Sequence, residues 1–543
     1  MRRSWLCVLC LPFLVAMAPA ARAQGKPADT PTIVVRVSSL NALLQNLNLV
    51  VKLVGQEEAA HQIEGLFKSK IGKKGIEGID PARPFGAYVR FGKAIDDING
   101  AILIPMADDK TFLNLLDNLS LKYVKDKNGI YTHKTDKNVD VYFRFAHKYL
   151  YITSINTSSI LDKNLPDPAK ALAVKTSAAI SIVARIDQIP NDAKLIALAQ
   201  LEETILAAQK KEQPGETKVQ EAFRVALLRD VNKLGANLIR EAGEVRFDLD
   251  VSDKTKELTV NLSVTGKSGS DLAKTIQALG ELKSPLAGIL KNDLAFQGAF
   301  HLALPDELNA AFGKVIDEVA KKSLDGIQDA TKKKQAETLF KALLPTAKAG
   351  EFQVVAAVLG PKQDRYTFIG ALKLKDGAKL GATIHDLVKE ALVKDIPLAE
   401  RDKIQLNFDS VGTVKIHRFQ LPKDPKTAEL LEQIAGDNHL YLAFRDDALF
   451  LALGKDALAS LKAAVAKTGS AESLPLVFDF DVARMAKLMA KTQEQKDLAG
   501  KLFPAGQSGR VRLTIAGGAS LNARLVLQLN VLEFLVKLQE KKE

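Results

Sequence analysis

The chain matches itself. Val141 to Leu161, VYFRFAHKYLYITSINTSSIL, aligns with Leu442 to Leu461, LAFRDDALFLALGKDALASL. Both read as an alternating strand, a tight polar turn, a second alternating strand and a helix. Gly243 to Glu281 likewise matches Gly509 to Glu540, Leu40 onward matches Leu308 onward, and Ile98 onward matches Phe368 onward. The order of these segments is the same in both halves, and such self-similarity restricts the architectures open to a chain more than composition does. The expectation is two similar halves, 24–285 and 286–543, meeting near Gly280 to Asn292, with shared cores over 32–281 and 294–540. The segment Asn191 to Ala242 is extra in the first half, and Gln420 to Asp437 is extra in the second.

The period within each half gives the class. Val245, Phe247, Leu249 and Val251 alternate with Arg246, Asp248 and Asp250, and Leu258 to Val264 repeat the alternation beyond a short polar turn. A period of two with one apolar and one wet face describes an antiparallel sheet. Segments such as Lys218 to Glu241 carry apolar residues at spacings of three and four, which makes them helices with one apolar stripe. The expected class is α+β, internally duplicated, with each half an antiparallel sheet covered by helices on one face.

Residues 1–23 read as a signal peptide. A basic start at Arg2-Arg3 precedes the apolar run Leu6 to Ala18, and Ala21-Arg22-Ala23 supplies the small residues before cleavage. The run is shorter than the roughly 20 residues a spanning helix needs. The mature chain is therefore expected to begin at Gln24, without a transmembrane segment, and to reach the periplasm or the extracellular space. Both cysteines, Cys7 and Cys10, leave with the signal, which removes disulfides, Cys ligands and Cys nucleophiles from the mature chain. Net charge falls from 76 − 64 = +12 to 73 − 64 = +9 once Arg2, Arg3 and Arg22 are gone. Those lysines and arginines are scattered among acids, which excludes the clustered basic face of a nucleic-acid binder.

Residues that could carry chemistry are few. Arg445-Asp446-Asp447 falls in a hairpin turn, and the matching positions Ala146, His147 and Lys148 have the opposite charge, as suits a solvated tip. Asp248, Asp250 and Asp253, and Asp479 with Asp481, are acidic pairs on strands, without the oxygen count and spacing of a calcium loop. Thr265 to Gly269 resembles the end of a phosphate loop but lacks its first glycine. No G-x-S-x-G elbow occurs, and His385 lacks the metalloprotease spacing. Among seven histidines, His133 and His417 stand out because they lie four and five residues after Gly129 and Gly412, in corresponding strands. They are the candidate binding residues; no catalytic residue, cofactor site or metal site is expected.

The hairpin–helix pattern D-x-L-F-L-A-L-G-K-D-A-L-x-x-L behind a signal peptide resembles a diffuse group of exported bacterial proteins of unknown function. In that group strand–turn–strand–helix units recur along a long chain. The expected function is a non-enzymatic scaffold or binding protein of the cell envelope with an unknown ligand. The alternatives are a two-lobed carrier of lipid or another hydrophobic ligand and, more weakly, a hydrolase of unrecognised type.

Overall fold

The structure is a computed structural model that describes residues 30–53, 78–94, 97–136, 138–289, 294–394, 396–421, 431–490, 492–504 and 507–540. Residues 1–29 with Cys7 and Cys10, His61, and half of Gln420 to Asp437 lie outside these residues. The protein is α+β with a large antiparallel sheet, and its described residues belong to two compact units. The first unit comprises residues from 1–48, 57–198 and 244–249; the second comprises 49–56, 199–243 and 250–543. No described helix is long and apolar enough to cross a membrane.

The first unit contains β1 (Ile33–Val37), β2 (Phe85–Phe91), β3 (Ile98–Pro105), β4 (Tyr123–Lys125), β5 (Tyr131–Lys134), β6 (Asp140–Ala146), β7 (Tyr149–Thr153) and β8 (Ile180–Arg185). It also takes residues 244–249 of β9 (Ala242–Ser252). Antiparallel pairing sets the order β4-β5-β6-β7-β3-β2-β1-β8-β9. Its helices include α1 (Leu40–Leu53), of which residues 40–48 fall in this unit, and α2 (Asp109–Asn118).

The second unit contains β10 (Glu257–Gly266), β11 (Lys283–Ser284), β12 (Phe296–Ala303), β13 (Glu351–Lys362), β14 (Arg365–Lys373), β15 (Ile404–Val411) and β16 (Val414–Gln420). These are followed by β17 (His439–Arg445), β18 (Ala448–Leu453), β19 (Ala471–Glu472), β20 (Leu476–Asp481), β21 (Arg510–Ala516) and β22 (Leu521–Gln528). The order is β15-β16-β17-β18-β14-β13-β12-β20-β21-β22-β10, with β11 and β19 forming a separate two-stranded patch. Each order begins with four consecutive strands and continues through three in reverse; the first then adds β8 and β9, and the second adds β20, β21, β22 and the earlier strand β10. Asn191–Lys210 forms α3 and Lys218–Glu241 forms α4, which opens on a capping box between Thr217 and Gln220.

Further helices of this unit are α5 (Asp271–Gly280), α6 (Asp306–Asp325), α7 (Ala330–Ala347), α8 (Gly377–Lys394) and α9 (Ala457–Val465). The last three are α10 (Val482–Met489), α11 (Gln493–Leu502) and α12 (Leu529–Glu540). Here the expectation of helices on a single face fails. On one face of the central strands, Ala371, Ala443, Ala448, Phe450 and Ala452 form the main core with Leu461, Ala464 and Val465 of α9. On the opposite face, Leu372, Phe444 and Leu449 pack with Leu380 and Ile384 of α8 and with Leu339 and Ala342 of α7. The first unit repeats the arrangement: Tyr149 and Tyr151 point into one core, while Phe145, Leu150 and Ile152 meet Phe112, Leu113 and Leu116 of α2 on the other face.

Candidate functional site

The hairpin that carries Asp446 and Asp447 is a joint. Left-handed backbone occurs at His147 and Lys148 (φ 51° and 59°) but not at Asp446 or Asp447, so the aspartates are not there for their dihedral tolerance. Arg445 holds Asp447 bidentately through Nε and Nη2, the latter at 3.0 Å, while its Nη1 donates to the carbonyls of Val465 (3.3 Å) and Lys467 (2.6 Å) at the end of α9. The carbonyl of Asp446 accepts from Gly377 N at 2.7 Å, where α8 begins. The turn therefore anchors helices, and Asp447 is the counter-charge of a largely buried arginine, more than a solvated tip requires.

The acidic strand pairs are also occupied. Asp479 faces Arg510 (3.3 Å) and Arg512 (3.6 Å) and accepts from Gln297 at 3.4 Å. Asp481 caps α10 and accepts from Gly509 N at 3.3 Å. Asp248 accepts from Ser181 Oγ at 2.7 Å, and Asp253 pairs with Lys256. Among the described residues no three His, Cys, Asp or Glu side chains converge on a metal position. One further polar network, invisible in the sequence, joins His301 Nε2 to Glu351 Oε1 (3.2 Å) and Gln353 Nε2 (3.0 Å). Its hydroxyl, Ser284 Oγ, donates to Gln353 Oε1 at 2.8 Å instead of engaging the imidazole, so it does not form a nucleophile–base pair.

The two candidate histidines separate. His133 is half-buried between Tyr123 of β4 and Val141 of β6, and its Nδ1 lies 2.7 Å from Lys122 O. His417 pairs with Leu442 and is buried. In the first unit Phe143 precedes Phe145 as Leu442 precedes Phe444, and the residue opposite Phe143 is Tyr131. The two histidines are therefore two residues out of register, and counting from the turn glycine misplaced them. The loop between β4 and β5 spans 126–130, whereas that between β15 and β16 spans 412–413, so equal counts from a glycine reach different rungs.

His417 sits in a cluster that sequence spacing could not assemble. A bulge between Gln405 and Asp409 puts Asn407 in the left-handed region (φ 55°), and its backbone N–H donates to His417 Nδ1 at 3.3 Å. The Asn407 side chain lies 3.3 Å from His385 Nε2 on α8, and the two imidazole rings are 6.0 Å apart. Because an amide N–H only donates, neutral His417 carries its proton on Nε2. Burial, with His385 beside it, pushes the His417 pKa below its usual 6.5. As a depressed histidine must charge against its surroundings, folded stability is expected to fall as pH drops below about 6.5. Urea midpoints at pH about 7.5 and about 5.5 should therefore differ more for the wild type than for His417→Gln; equal differences would remove this role.

The largest unassigned feature is apolar. In the second unit one cross-strand row runs Leu442, Leu451, Gly370, Ala356, Gly298 and Phe478, and continues through Leu513 and Leu525 to Val260. On this face Leu451, Val354, Phe300, Leu302, Phe478 and Leu262 remain 38–43% exposed. On one side of the row, Val358, Tyr366 and Phe368 are covered by Ile434 and by Met485 of α10, and Phe480, Val511 and Leu527 by α10, α11 and α12. On the other side Leu372 and Leu449 lie under α7 and α8, and Phe352 meets Phe312 of α6. The centre is therefore an apolar trough with helical walls and a floor of two glycines and an alanine. At about 4.8 Å per strand, the five strands from β18 to β20 give a floor about 19 Å long.

The first unit has a corresponding row: Tyr131, Phe143, Ile152, Ile102, Ala87, Val35, Ile182 and Phe247. Ile102 and Ile182 stay 37% and 39% exposed, and α2 covers the Ile152 end. Contiguous apolar patches of this kind are uncommon on soluble chains and mark ligand grooves or interaction surfaces. No protein-family model matches the chain, and neither a curated protein nor a solved structure does.

Proposed function

We propose that the protein is an exported, non-enzymatic carrier or binding protein of the cell envelope that holds an aliphatic, lipid-like chain in each sheet trough. The half-exposed apolar row of the second unit carries this reading. A floor without polar side chains offers nothing to hydrogen-bond, so its natural occupant is a hydrocarbon; a protein partner would bring polar rim groups needing partners. A duplication of one sheet-and-trough unit, with the boundaries given from the sequence, accounts for the matching strand orders and for the paired rows. Export fits the basic-apolar-small pattern of residues 1–23, and the resemblance to repeated exported proteins belongs to the same reading.

The test is mass spectrometry of an organic extract of the protein purified from its native envelope, followed by titration of the delipidated chain with a fluorescent long-chain alcohol. An extracted aliphatic lipid and saturable uptake of the alcohol are expected. A lipid-free extract together with non-saturable uptake would defeat the proposal.

A further inference from the structure

The row that forms the trough floor does not end in hydrocarbon. Past Leu451 and Leu442 its next residue is His417, the buried imidazole beside His385 and Asn407. Resting on the trough reading above, we infer that the second unit selects a single-chain carboxylate amphiphile, its tail on the Leu451–Gly370–Ala356–Gly298 floor and its carboxylate at His417, His385 and Asn407. Cross-strand partners in an antiparallel sheet share a face, so His417 and the floor are on one side of the sheet.

The chemistry of the end group favours a carboxylate. Asn407 N–H occupies His417 Nδ1 and leaves Nε2–H as the ring's donor. The Asn407 side-chain amide and His385, whose Nδ1 lies 3.2 Å from the exposed Asp386, add adaptable polar groups. Two cations of this region serve the other face of the sheet: Lys462 of α9 holds Asp409 at 2.9 Å, and Arg418, which follows His417 on the strand, lies 4.2 Å over the Phe408 ring. A site built on neutral imidazoles and an amide suits a monoanion and not the doubly charged phosphate of a phosphoryl head. In the first unit the same rung holds Tyr131, stacked on Phe143 at 4.9 Å, so that row ends in an aromatic wall and carries no imidazole.

The experiment measures hexadecanoate, hexadecanol and hexadecyl phosphate binding to the full delipidated chain at pH about 8, where the carboxylic acid is ionised. The wild type should hold hexadecanoate roughly 10- to 100-fold more tightly than hexadecanol at one of its sites, the range for hydrogen bonds to a charged group. His417→Gln and His385→Gln should lower hexadecanoate affinity far more than hexadecanol affinity and so erase the preference, with circular dichroism and urea midpoints reporting that the variants fold. Equal affinity for acid and alcohol in the wild type overturns the inference but leaves the trough reading standing. So does a preference that survives in both variants, or tighter binding of the phosphate. If none of the three chains binds, both readings fail together.

Discussion

Phe450→Ala is expected to destabilise the protein by about 3–5 kcal/mol, the usual cost of removing a fully buried aromatic. Phe450 is 1% exposed in the main core, among Ala371, Ala443 and Leu461. Its neighbour Leu451 points to the other face and is 38% exposed, so Leu451→Ala should cost only about 1 kcal/mol. Chemical denaturation of both variants checks the contrast. Comparable losses would mean that the trough face is as tightly packed as the core, and the case for a ligand there would collapse.

Ala356→Phe is expected to abolish most aliphatic binding in the second unit with little change in stability. Ala356 lies between Gly298 and Gly370 on the trough floor and is only partly buried, so a larger side chain there projects over the floor. Excluding about four methylenes at ~0.8 kcal/mol each weakens a hydrocarbon by roughly 100-fold. Titration with the fluorescent alcohol should then register the loss of one class of site. Unchanged stoichiometry and affinity would place the ligand elsewhere. The alanine is informative because both outcomes are readable in a folded protein.

Much of this was legible before any coordinates. Alternation in β9 and β10, the helical stripe of α4, and the hairpin positions at Phe145 and Phe444 followed from local period and turn chemistry, which act over a few residues. The self-match predicts that Phe145 and Phe444 are buried alike, as are Leu150 with Leu449 and Ile152 with Leu451. Both phenylalanines are instead half-buried, Leu150 is fully buried where Leu449 is half-buried, and Leu451 is more exposed than Ile152. That difference comes from what lies above each strand, which a strand's own sequence does not encode.

The sequence by itself determined the strands, the helices, the class and the low density of catalytic motifs, because each depends on side-chain period and residue type. Tertiary structure decided which face was core. Stretches such as Val354 to Leu359 are apolar on both sides, so period two could not choose between the α9 side and the trough side. It also decided which histidine mattered. The bulge at Asn407 and the unequal loops before β5 and β16 set the register, and register alone carried His417 to the end of the apolar row while leaving His133 two residues off the matching rung. Cross-strand register is a property of pairs of segments far apart in the chain, and a slip of one residue exchanges the two faces.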